Sequence, residues 1–314
     1  MRAPLRLGIV GLGYMGSLHL EKALAHPSIQ VTALYDTDEA TKERLRARGL
    51  PVVESYEALL DAVEAVIIAS PTATHFSYAE LALRARKHLL IEKPVTTSLE
   101  ELNKLIFLWE EAGTVAIAGH IERFNPAFQA LLPYAKRFTL FHFERVAPWT
   151  PRGSDASAVM DLLIHDLDLF WALTEGHLSD VRAGAYRIQT SQADSIQVWI
   201  DLVDGRAASF LVSRVAPYKR RRLTAHGAGL WAEADLLHRS VALWEASNPS
   251  APAEFSPLPV EVAPGDALSA ELEHFLHCIS EQRSSTLSLE HVYSVMVWAQ
   301  QVESLSERHL FFTR

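Results

Sequence analysis

The sequence predicts an α/β protein of two domains, a doubly wound parallel sheet followed by a domain with a mainly antiparallel sheet. Three observations support this fold class. The 314 residues exceed what one ordinary hydrophobic core accommodates. Through about residue 120, short apolar runs alternate with helical stretches, as repeated βα units do. From about residue 138 the apolar pattern alternates residue by residue instead. We therefore predict domains at residues 1–120 and 121–314.

The first strand leads into a glycine-rich turn. Residues 5–10 form an apolar run that is long enough for a buried strand but too short for a helix. Gly11, Gly13 and Gly16 follow at GxGxxG spacing and open a helix, whose first N–H groups can bind an anion. A glycine-rich turn alone is a weak signal. Asp36, at the end of the second apolar run, stands where a dinucleotide fold places the acid that binds ribose, and this favours a Rossmann domain.

The remaining elements of the first domain follow the same alternation. Short apolar runs predict strands at residues 31–35, 51–53, 65–69, 88–91 and 115–118. Four residues with side-chain oxygens precede helical stretches and are predicted N-caps: Asp38, Ser55, Thr74 and Ser98.

The second domain shows the period of half-buried strands. Apolar residues alternate with polar ones over residues 195–202, and Asp204-Gly205 predicts a two-residue hairpin turn into a strand at 206–215. Residues 247–264 contain five prolines and predict a loop, and two amphipathic helices close the chain. Further strands are predicted at 139–146, 182–189, 221–226, 231–235 and 241–244.

Composition excludes several classes of partner. Hydrophobic residues make up 49% and charged residues 21%, as in a soluble globular protein. The net charge of −9 argues against binding to nucleic acid or to an anionic membrane. A single cysteine, Cys278, cannot form an internal disulfide, so we expect a cytoplasmic protein. No signal peptide is visible, and no apolar run approaches the ~18 residues of a membrane span.

A helical stretch over residues 159–173 gathers ionisable side chains. At 100° per residue, Asp161, His165 and Asp168 share one face. Three interpretations remain open at this point: a solvated polar stripe, a metal site for which no second ligand cluster is visible, or an acid–base pair in which a carboxylate orients an imidazole.

Lys93 follows the strand at residues 88–91, at the edge where a doubly wound sheet binds ligands. Near an oxidised nicotinamide its ammonium would lose solvation and meet a like charge, and both effects lower a lysine pKa. A simple Lys-Pro turn is the alternative. Pro71 and His75 follow the preceding strand at the same edge. The basic run at residues 219–222 is either a solvated strand face or an anion site.

The order of GLGYMG, Asp36, SPTATH, KHLLIEKP and MDLLIHDLDL resembles the Gfo/Idh/MocA family of glucose–fructose oxidoreductases and inositol dehydrogenases, over nearly the whole chain. The resemblance implies a Rossmann domain followed by an open-faced α/β domain, and oxidation or reduction of a sugar or polyol hydroxyl with NAD or NADP. It also implies a cis Lys93-Pro94 peptide that aims the lysine at the nicotinamide.

The resemblance implies roles for individual residues, and we expect no metal site. The predicted catalytic group is Lys93, Asp161 and His165. The residues expected to bind the cofactor are Gly11, Gly13, Tyr14, Met15, Gly16, Asp36, Ser70, Pro71, His75, Glu92 and Lys93. Those expected to bind substrate are Arg123, Asn125, Arg152, Asp161 and His165.

Two departures from the family pattern stand out. Arg86 occupies a position where the family usually has glycine, so the preceding helix is expected to end without its left-handed cap. Leu163 replaces a glycine common between the catalytic Asp and His. Together with GHIERFNPA at residues 119–127, Leu163 makes the chain similar to a subgroup that oxidises UDP-N-acetylglucosamine at C3.

We therefore expect an NAD-dependent dehydrogenase of a sugar hydroxyl, with a nucleotide sugar as substrate. Asp36 favours NAD because a 2′-phosphate would place like charges together. A diphosphate needs cationic partners, and the candidates are Arg123, Arg145, Arg152 and residues 219–222, unless these groups form ion pairs on the protein. The alternatives are a dehydrogenase in the same family that acts on a free polyol, a sugar or another small molecule, and a dinucleotide-binding sensor without turnover.

Self-association is a further expectation. One face of the second domain's sheet has no evident cover, and Trp199 lies on the more polar face of its strand. We expect a homodimer or homotetramer that forms through this sheet.

Overall fold

The computed structural model describes residues 3–150, 157–248, 254–283 and 285–312. By contacts between residues the chain divides into two units, Met1–His120 with Leu268–Ser294, and Ile121–Ala267 with Val295–Arg314. The predicted division placed residues 268–294 in the second domain, whereas their contacts group them with the first unit. Within the described residues, no helix is both long and apolar enough to cross a membrane.

The first unit contains a five-stranded parallel sheet of order β2-β1-β3-β4-β5. Two of its inner strands, β3 and β4, are almost wholly buried, as expected for a parallel sheet covered on both faces. The strands are β1 Leu5–Val10, β2 Ile29–Tyr35, β3 Ala65–Ile68, β4 His88–Glu92 and β5 Ala116–Gly119. The helices between them are α1 Tyr14–Ala25, α2 Glu39–Ala47, α3 Tyr56–Ala62, α4 Thr72–Arg84 and α5 Leu99–Ala112.

Three of the four predicted N-caps are confirmed. The side chains of Asp38, Ser55 and Ser98 each accept a hydrogen bond from the backbone N–H three residues later. The prediction for Thr74 is wrong, because α4 begins two residues earlier, with Pro71 at its N-cap. The Thr74 hydroxyl instead donates to the Pro71 carbonyl oxygen within the first turn.

The second unit contains a nine-stranded sheet of order β13-β12-β11-β10-β6-β9-β8-β7-β14. It is mainly antiparallel, as predicted, with parallel pairs β6–β9 and β7–β14. The strands are β6 Leu140–Val146, β7 Leu178–Arg187, β8 Ser195–Leu202, β9 Ala207–Ser213, β10 Arg220–Gly227, β11 Leu230–Asp235, β12 Ser240–Ala246, β13 Phe255–Pro257 and β14 Leu310–Phe312.

The remaining helical segments begin with two short 3-10 turns, Ile121–Phe124 and Leu132–Arg137, on either side of α6 Pro126–Gln129. A π-helical segment, Val159–Leu163, runs directly into α7 Ile164–Thr174. The predicted closing helices are α8 Ala267–Glu281 and α9 Leu289–Arg308.

Aromatic side chains pack α7 onto the sheet. Phe170 lies 5.3 Å from Phe141, 6.3 Å from Phe143 and 5.8 Å from Phe210 between ring centroids. All four rings are fully buried. Offset and edge-to-face aromatic pairs of this kind contribute about 0.5–1.5 kcal/mol each beyond area burial. The position of α7 on the sheet is therefore set by its apolar face.

Three predicted local structures differ from those observed. The hairpin at Asp204-Gly205 exists, but residues 203–206 form the loop, closed by a hydrogen bond from Leu202 N–H to Arg206 O. The predicted strand at 51–53 is an isolated bridge between Leu34 and Val52. Within the predicted loop at 247–264, three residues form β13, which pairs with β12 through backbone hydrogen bonds that side-chain periodicity does not show.

The end of α4 contradicts the expectation at Arg86. The residue takes the left-handed conformation itself, with φ of 55°. Its N–H donates to Leu83 O, and the next N–H donates to Ala82 O, so the helix ends in a turn normally made by glycine. A side chain in this conformation costs roughly 1–2 kcal/mol.

Replacing Arg86 with glycine should therefore stabilise the protein. The strain relieved exceeds the extra unfolded-state entropy of glycine, and we expect a gain of about 0.5–1 kcal/mol, measured as a higher Tm and denaturation midpoint. The matched control is Arg84→Gly, two residues earlier at a helical position, which should lose about 1 kcal/mol. Equal destabilisation by both variants would contradict the strain at Arg86.

Candidate active site

The glycine turn between β1 and α1 is fixed by close backbone contacts. A Cβ at Gly11, where φ is 82°, would lie 2.4 Å from the Ser70 backbone nitrogen. A Cβ at Gly16 would lie 1.8 Å from the Gly11 carbonyl oxygen. Gly13 caps α1 without a side-chain hydrogen bond, and the space around its Cα is open. The first N–H groups of α1 therefore face a cradle that suits a phosphate.

Asp36 lies at the end of β2, beside this turn. Its Oδ2 accepts a hydrogen bond of 2.6 Å from Leu12 N–H, and its Oδ1 accepts one of 2.9 Å from Asp38 N–H. Each oxygen keeps a second lone pair that can accept a ribose hydroxyl. Tyr14, at 60% exposure, and the half-buried Met15 complete the turn. This donor and acceptor set fits a dinucleotide.

The Ser70–His75 segment lies at the same sheet edge, but His75 is used internally. Its Nε2 is 2.7 Å from Ser70 O and its Nδ1 is 2.9 Å from Pro94 O. Burial lowers the pKa of His75, so at neutral pH the ring donates to one of these two oxygens. These bonds link the Ser70 turn to the Pro94 turn through His75, and a contact of His75 with the cofactor stays a prediction. Ser70 Oγ bonds Thr74 Oγ1 at 2.8 Å, and Pro71 is exposed.

The turn after β4 carries Lys93. The predicted cis Lys93-Pro94 peptide is confirmed, and the lysine is half-buried. The side chain of the preceding residue, Glu92, is buried in the first unit. Its Oε1 is 2.7 Å from His19 Nε2, and the side chain is 7% exposed. The carboxylate of Glu92 is thus engaged inside the unit, and a contact of Glu92 with the cofactor stays a prediction.

Asp161 and His165 lie one turn apart at the start of the α7 segment. Asp161 belongs to the π-helical segment, whose wider turn ends with the Ile164 N–H bonded to Val159 O. At the start of this segment the Ser157 hydroxyl oxygen accepts a hydrogen bond of 3.1 Å from the Met160 N–H. Both Asp161 and His165 are half-buried. Single wider turns of this type are frequent at functional sites.

Asp168 does not share this environment. It is fully buried, and the Arg123 guanidinium donates to both of its oxygens, at 2.7 and 3.1 Å. The prediction of three side chains on one face assumed a continuous α-helix, and the π-helical segment breaks that spacing. The interpretation of this face as a solvated polar stripe does not hold for Asp168, because the side chain is buried.

An ion network accounts for two more of the arginines that were considered for phosphate, the buried Arg145 and the more exposed Arg221. Arg145 binds Asp166 at 2.7 Å and Glu122 at 3.0 Å, and Arg221 binds Glu122 at 2.9 Å. Burial alone would raise the pKa of Glu122, but Arg145 and Arg221 hold it below its usual value. Burial raises the pKa of Asp166 despite its bonds to Arg145. These contacts favour the ion-pair alternative for Arg145 and Arg221.

Of the other residues considered for substrate binding, Asn125 and Arg220 bond to groups of the protein itself, and one lies outside the described residues. Asn125 caps α6 through Ala127 N–H and donates to Leu236 O at 2.8 Å. Arg220 binds Glu144 at 3.1 Å. Arg152 lies outside the described residues. These contacts give Asn125 and Arg220 structural roles in the second unit.

Sequence reasoning passed over two buried polar residues in the first unit. His19 lies on the buried face of α1, and Glu271 lies among the buried residues of α8. A signal was present for Glu271, since it interrupts the apolar face of the first of the two predicted closing helices.

A cavity of about 270 Å³ opens in the second unit. Its lining includes residues 157–159, directly before Asp161, together with Arg187, Arg214 and Glu303. Arg214 donates to Ala193 O at 3.1 Å. Burial raises the pKa of Glu303, which accepts a hydrogen bond from Ser157 Oγ.

Comparison with known proteins covers both units. A family model described as the GFO/IDH/MocA oxidoreductase family with an NAD-binding Rossmann fold matches residues 5–120, and the family's C-terminal domain model matches residues 136–232. UDP-N-acetylglucosamine 3-dehydrogenase of Acidithiobacillus ferrooxidans is 37% identical over 292 residues, 89% of this chain and 90% of that protein. The scyllo-inositol 2-dehydrogenase (NAD(+)) of Bacillus subtilis is 27% identical over 307 residues, 89% of this chain and 87% of that protein.

The solved structure of the Acidithiobacillus ferrooxidans enzyme superimposes with a TM-score of 0.90 at 33% identity, covering 98% of this chain and 99% of the other. The glycine turn with Asp36, the parallel sheet and the open second sheet thus agree with the matches over both units. The chain belongs to the GFO/IDH/MocA oxidoreductase family, with an NAD-binding Rossmann domain.

Proposed function

We propose that this protein is an NAD-dependent dehydrogenase that oxidises the C3 hydroxyl of a nucleotide sugar, UDP-N-acetylglucosamine. The observation that carries the proposal is the 37% identity to UDP-N-acetylglucosamine 3-dehydrogenase over nearly the full length of both proteins. The more distant inositol dehydrogenase supports the general class of CH–OH oxidation. A sensor without turnover would have no need of Lys93, Asp161 and His165.

The chain's own residues would hold the cofactor in a defined way. The open N-terminus of α1, at Gly13, would receive the pyrophosphate, and Asp36 would accept hydrogen bonds from the adenosine ribose. A 2′-phosphate would lie against the Asp36 carboxylate, and this repulsion favours NAD over NADP. When bound, the nicotinamide supplies the hydride acceptor for the reaction.

The proposed catalytic group consists of Lys93, Asp161 and His165. His165 takes the proton of the substrate hydroxyl, because an imidazole titrates near neutral pH. Lys93 donates a hydrogen bond to the same oxygen and stabilises the negative charge that develops there. Asp161 orients the substrate or the imidazole.

The ion pairs of the second unit change the basis of the substrate proposal. Arg145, Arg220 and Arg221 bind carboxylates, so their number no longer argues for a diphosphate. We propose instead that the diphosphate binds Arg187 and Arg214, which line the cavity beside the start of the α7 segment. Guanidinium groups suit this role because they bind phosphate with paired hydrogen bonds. The raised pKa of Glu303 reduces repulsion of an anion there.

A substrate and cofactor panel tests the function. UDP-N-acetylglucosamine, N-acetylglucosamine and myo-inositol are compared by absorbance at 340 nm, each with NAD and with NADP. We expect the nucleotide sugar with NAD to give the highest kcat/KM. Faster oxidation of a free sugar or of inositol would overturn the substrate, and a lower Kd for NADP than for NAD would overturn the cofactor preference.

Substituting His165 with alanine tests the proposed base. We expect kcat to fall by roughly 10²–10⁴-fold, the usual contribution of a positioned base, while the Kd for NAD stays unchanged. His177→Ala, at an exposed histidine of the same unit, serves as the matched control and should keep full activity. Near-normal turnover of the His165 variant would remove this residue from the mechanism.

Self-association through the second unit's sheet is part of the proposal. Trp199 is half-buried on one face of β8, where the Arg182 guanidinium lies 5.7 Å from its ring centroid. Tyr186 on β7 and Trp231 on β11 are exposed side chains of the same sheet. Large aromatic groups on an accessible sheet are typical of a contact surface.

Sedimentation at micromolar concentration should therefore give two or four times the chain mass of 35.0 kDa. The Tyr186→Asp variant places a charge on this face and should shift the distribution towards monomer. A wild-type protein that sediments as a monomer would contradict the proposal.

A further inference from the structure

Three ionisable side chains meet in the interior of the first unit. His19 comes from α1, Glu92 from the end of β4 and Glu271 from α8. His19 and Glu271 are fully buried, and Glu92 nearly so. One nitrogen or oxygen from each of the three lies within 4.8 Å of the others.

The hydrogen bonds of this cluster are unequal. His19 Nε2 and Glu92 Oε1 form a bond of 2.7 Å. Both carboxyl oxygens of Glu271 lie buried without a hydrogen-bond partner, although a carboxylate stands close by. An ionised carboxylate in that position would lose its hydration and face a like charge, with no donor to compensate.

A metal ion is the first candidate for such a group, because His and Glu are common ligands. Two ligands of one zinc ion, each at about 2.0–2.1 Å from it, lie roughly 3.3 Å apart in a tetrahedral site. The 2.7 Å separation of His19 and Glu92 is shorter and matches a direct hydrogen bond. The geometry therefore favours a proton on Glu271 over a cation between the three groups.

We propose that Glu271 is held as the neutral carboxylic acid and that, with His19, it positions Glu92 and thereby the turn that carries Lys93. The titratable groups of this cluster are His19 from α1 and Glu92 from β4, and each stands against Glu271 from a different element. Burial, and secondly the charge of Glu92, raise the pKa of Glu271 well above its usual value, which agrees with this assignment.

Glu92 connects the buried cluster to Lys93 through the chain itself. Glu92 directly precedes Lys93, and its side chain packs against Gly119 of β5, where a Cβ would lie 3.1 Å from Glu92 Cα and 3.2 Å from its carboxyl group. From the other flank, His75 bonds the Pro94 carbonyl oxygen. The turn is thus held through Glu92 on one side and through Pro94 on the other. Glu271 acts through Glu92 and is a positioning residue.

The catalytic part of this inference rests on the proposed role of Lys93, but the protonation of Glu271 does not. Difference infrared spectra of wild-type protein minus Glu271→Gln should show the carbonyl stretch of a protonated carboxylic acid at neutral pH. The matched control is Glu273→Gln, two residues along α8 at an exposed side chain paired with His26, which should show only carboxylate bands. A carboxylate band for Glu271, or a metal ion found by elemental analysis of the wild type and lost in Glu271→Gln, would overturn the inference.

Stability against pH gives a second readout with a defined sign. A carboxyl group whose pKa is raised by folding contributes its full stability below its unfolded pKa, about 4.3, and loses that stability as pH rises towards its folded pKa. Glutamine keeps the neutral shape and does not titrate. The Tm of Glu271→Gln relative to wild type should therefore increase between about pH 5 and about pH 8. A relative Tm that falls over this range would show that Glu271 is ionised.

Measuring the activity of Glu271 variants distinguishes a positioning role of this residue from a general effect on stability. Glu271→Gln should keep kcat within about twofold, whereas Glu271→Ala should lower kcat about tenfold or more with the KM for substrate nearly unchanged. Retention of kcat in Glu271→Gln together with its loss in Glu271→Ala would support a positioning role for a neutral Glu271 side chain. Equal loss of kcat in both variants would overturn it. If no sugar is oxidised by the wild type, the proposed function fails, while the infrared and stability results still decide the protonation of Glu271.

Discussion

The hydrogen bond between His19 and Glu92 is the contact on which the arrangement of the first unit depends. It joins α1, whose N-terminus forms the anion cradle, to the end of β4, whose next residue is Lys93. A rigid bond of 2.7 Å between these two elements fixes the glycine turn and the lysine turn relative to each other. Such a bond lies in a dry interior, where hydrogen bonds are electrostatically stronger than in water. The unit thus uses buried polar groups for placement of functional groups, and apolar packing for stability.

The second unit applies the same principle to α7. Its buried carboxylates, Asp166 and Asp168, are each met by an arginine from another element, Arg145 and Arg123. Buried pairs contribute little net stability, but removing one partner leaves an uncompensated charge that costs about 3–5 kcal/mol. The pairs therefore resist rotation of α7 about its axis, and they leave His165 in a half-buried position. Aromatic packing around Phe170 sets the helix on the sheet, and the ion pairs set which face it presents.

Local chemistry explains most of what the sequence determined. Gly11 and Gly16, at the two ends of the glycine turn, leave no room for a Cβ. Because only glycine fits at these positions, their spacing can be recognised in the sequence alone. Asp38 caps its helix by accepting a hydrogen bond from the N–H only three residues later. The alternation of apolar and polar residues over 195–202 reflects a strand with one buried face. The position of Asp36 after the second strand and of Lys93 after the fourth followed from the order of βα units. Each of these features depends on neighbours in the chain or on a regular period.

Only the tertiary structure decided which charged groups are partners. Arg123 and Asp168 are 45 residues apart, and no periodicity relates an arginine in a 3-10 turn to a carboxylate on a distant helix. The sequence likewise does not show that Glu271 lies buried beside Glu92, because the two residues are far apart in the chain. By sequence alone, Glu271 is one more residue of an amphipathic helix. Arg86 adopts a conformation usual for glycine because the tertiary fold imposes the end of α4 against the side chain's own preference. The sequence by itself therefore determined the fold class and the positions of the chemical groups along the chain. Burial and long-range pairing decided which of those groups hold the structure together, because both depend on what the rest of the chain brings beside them.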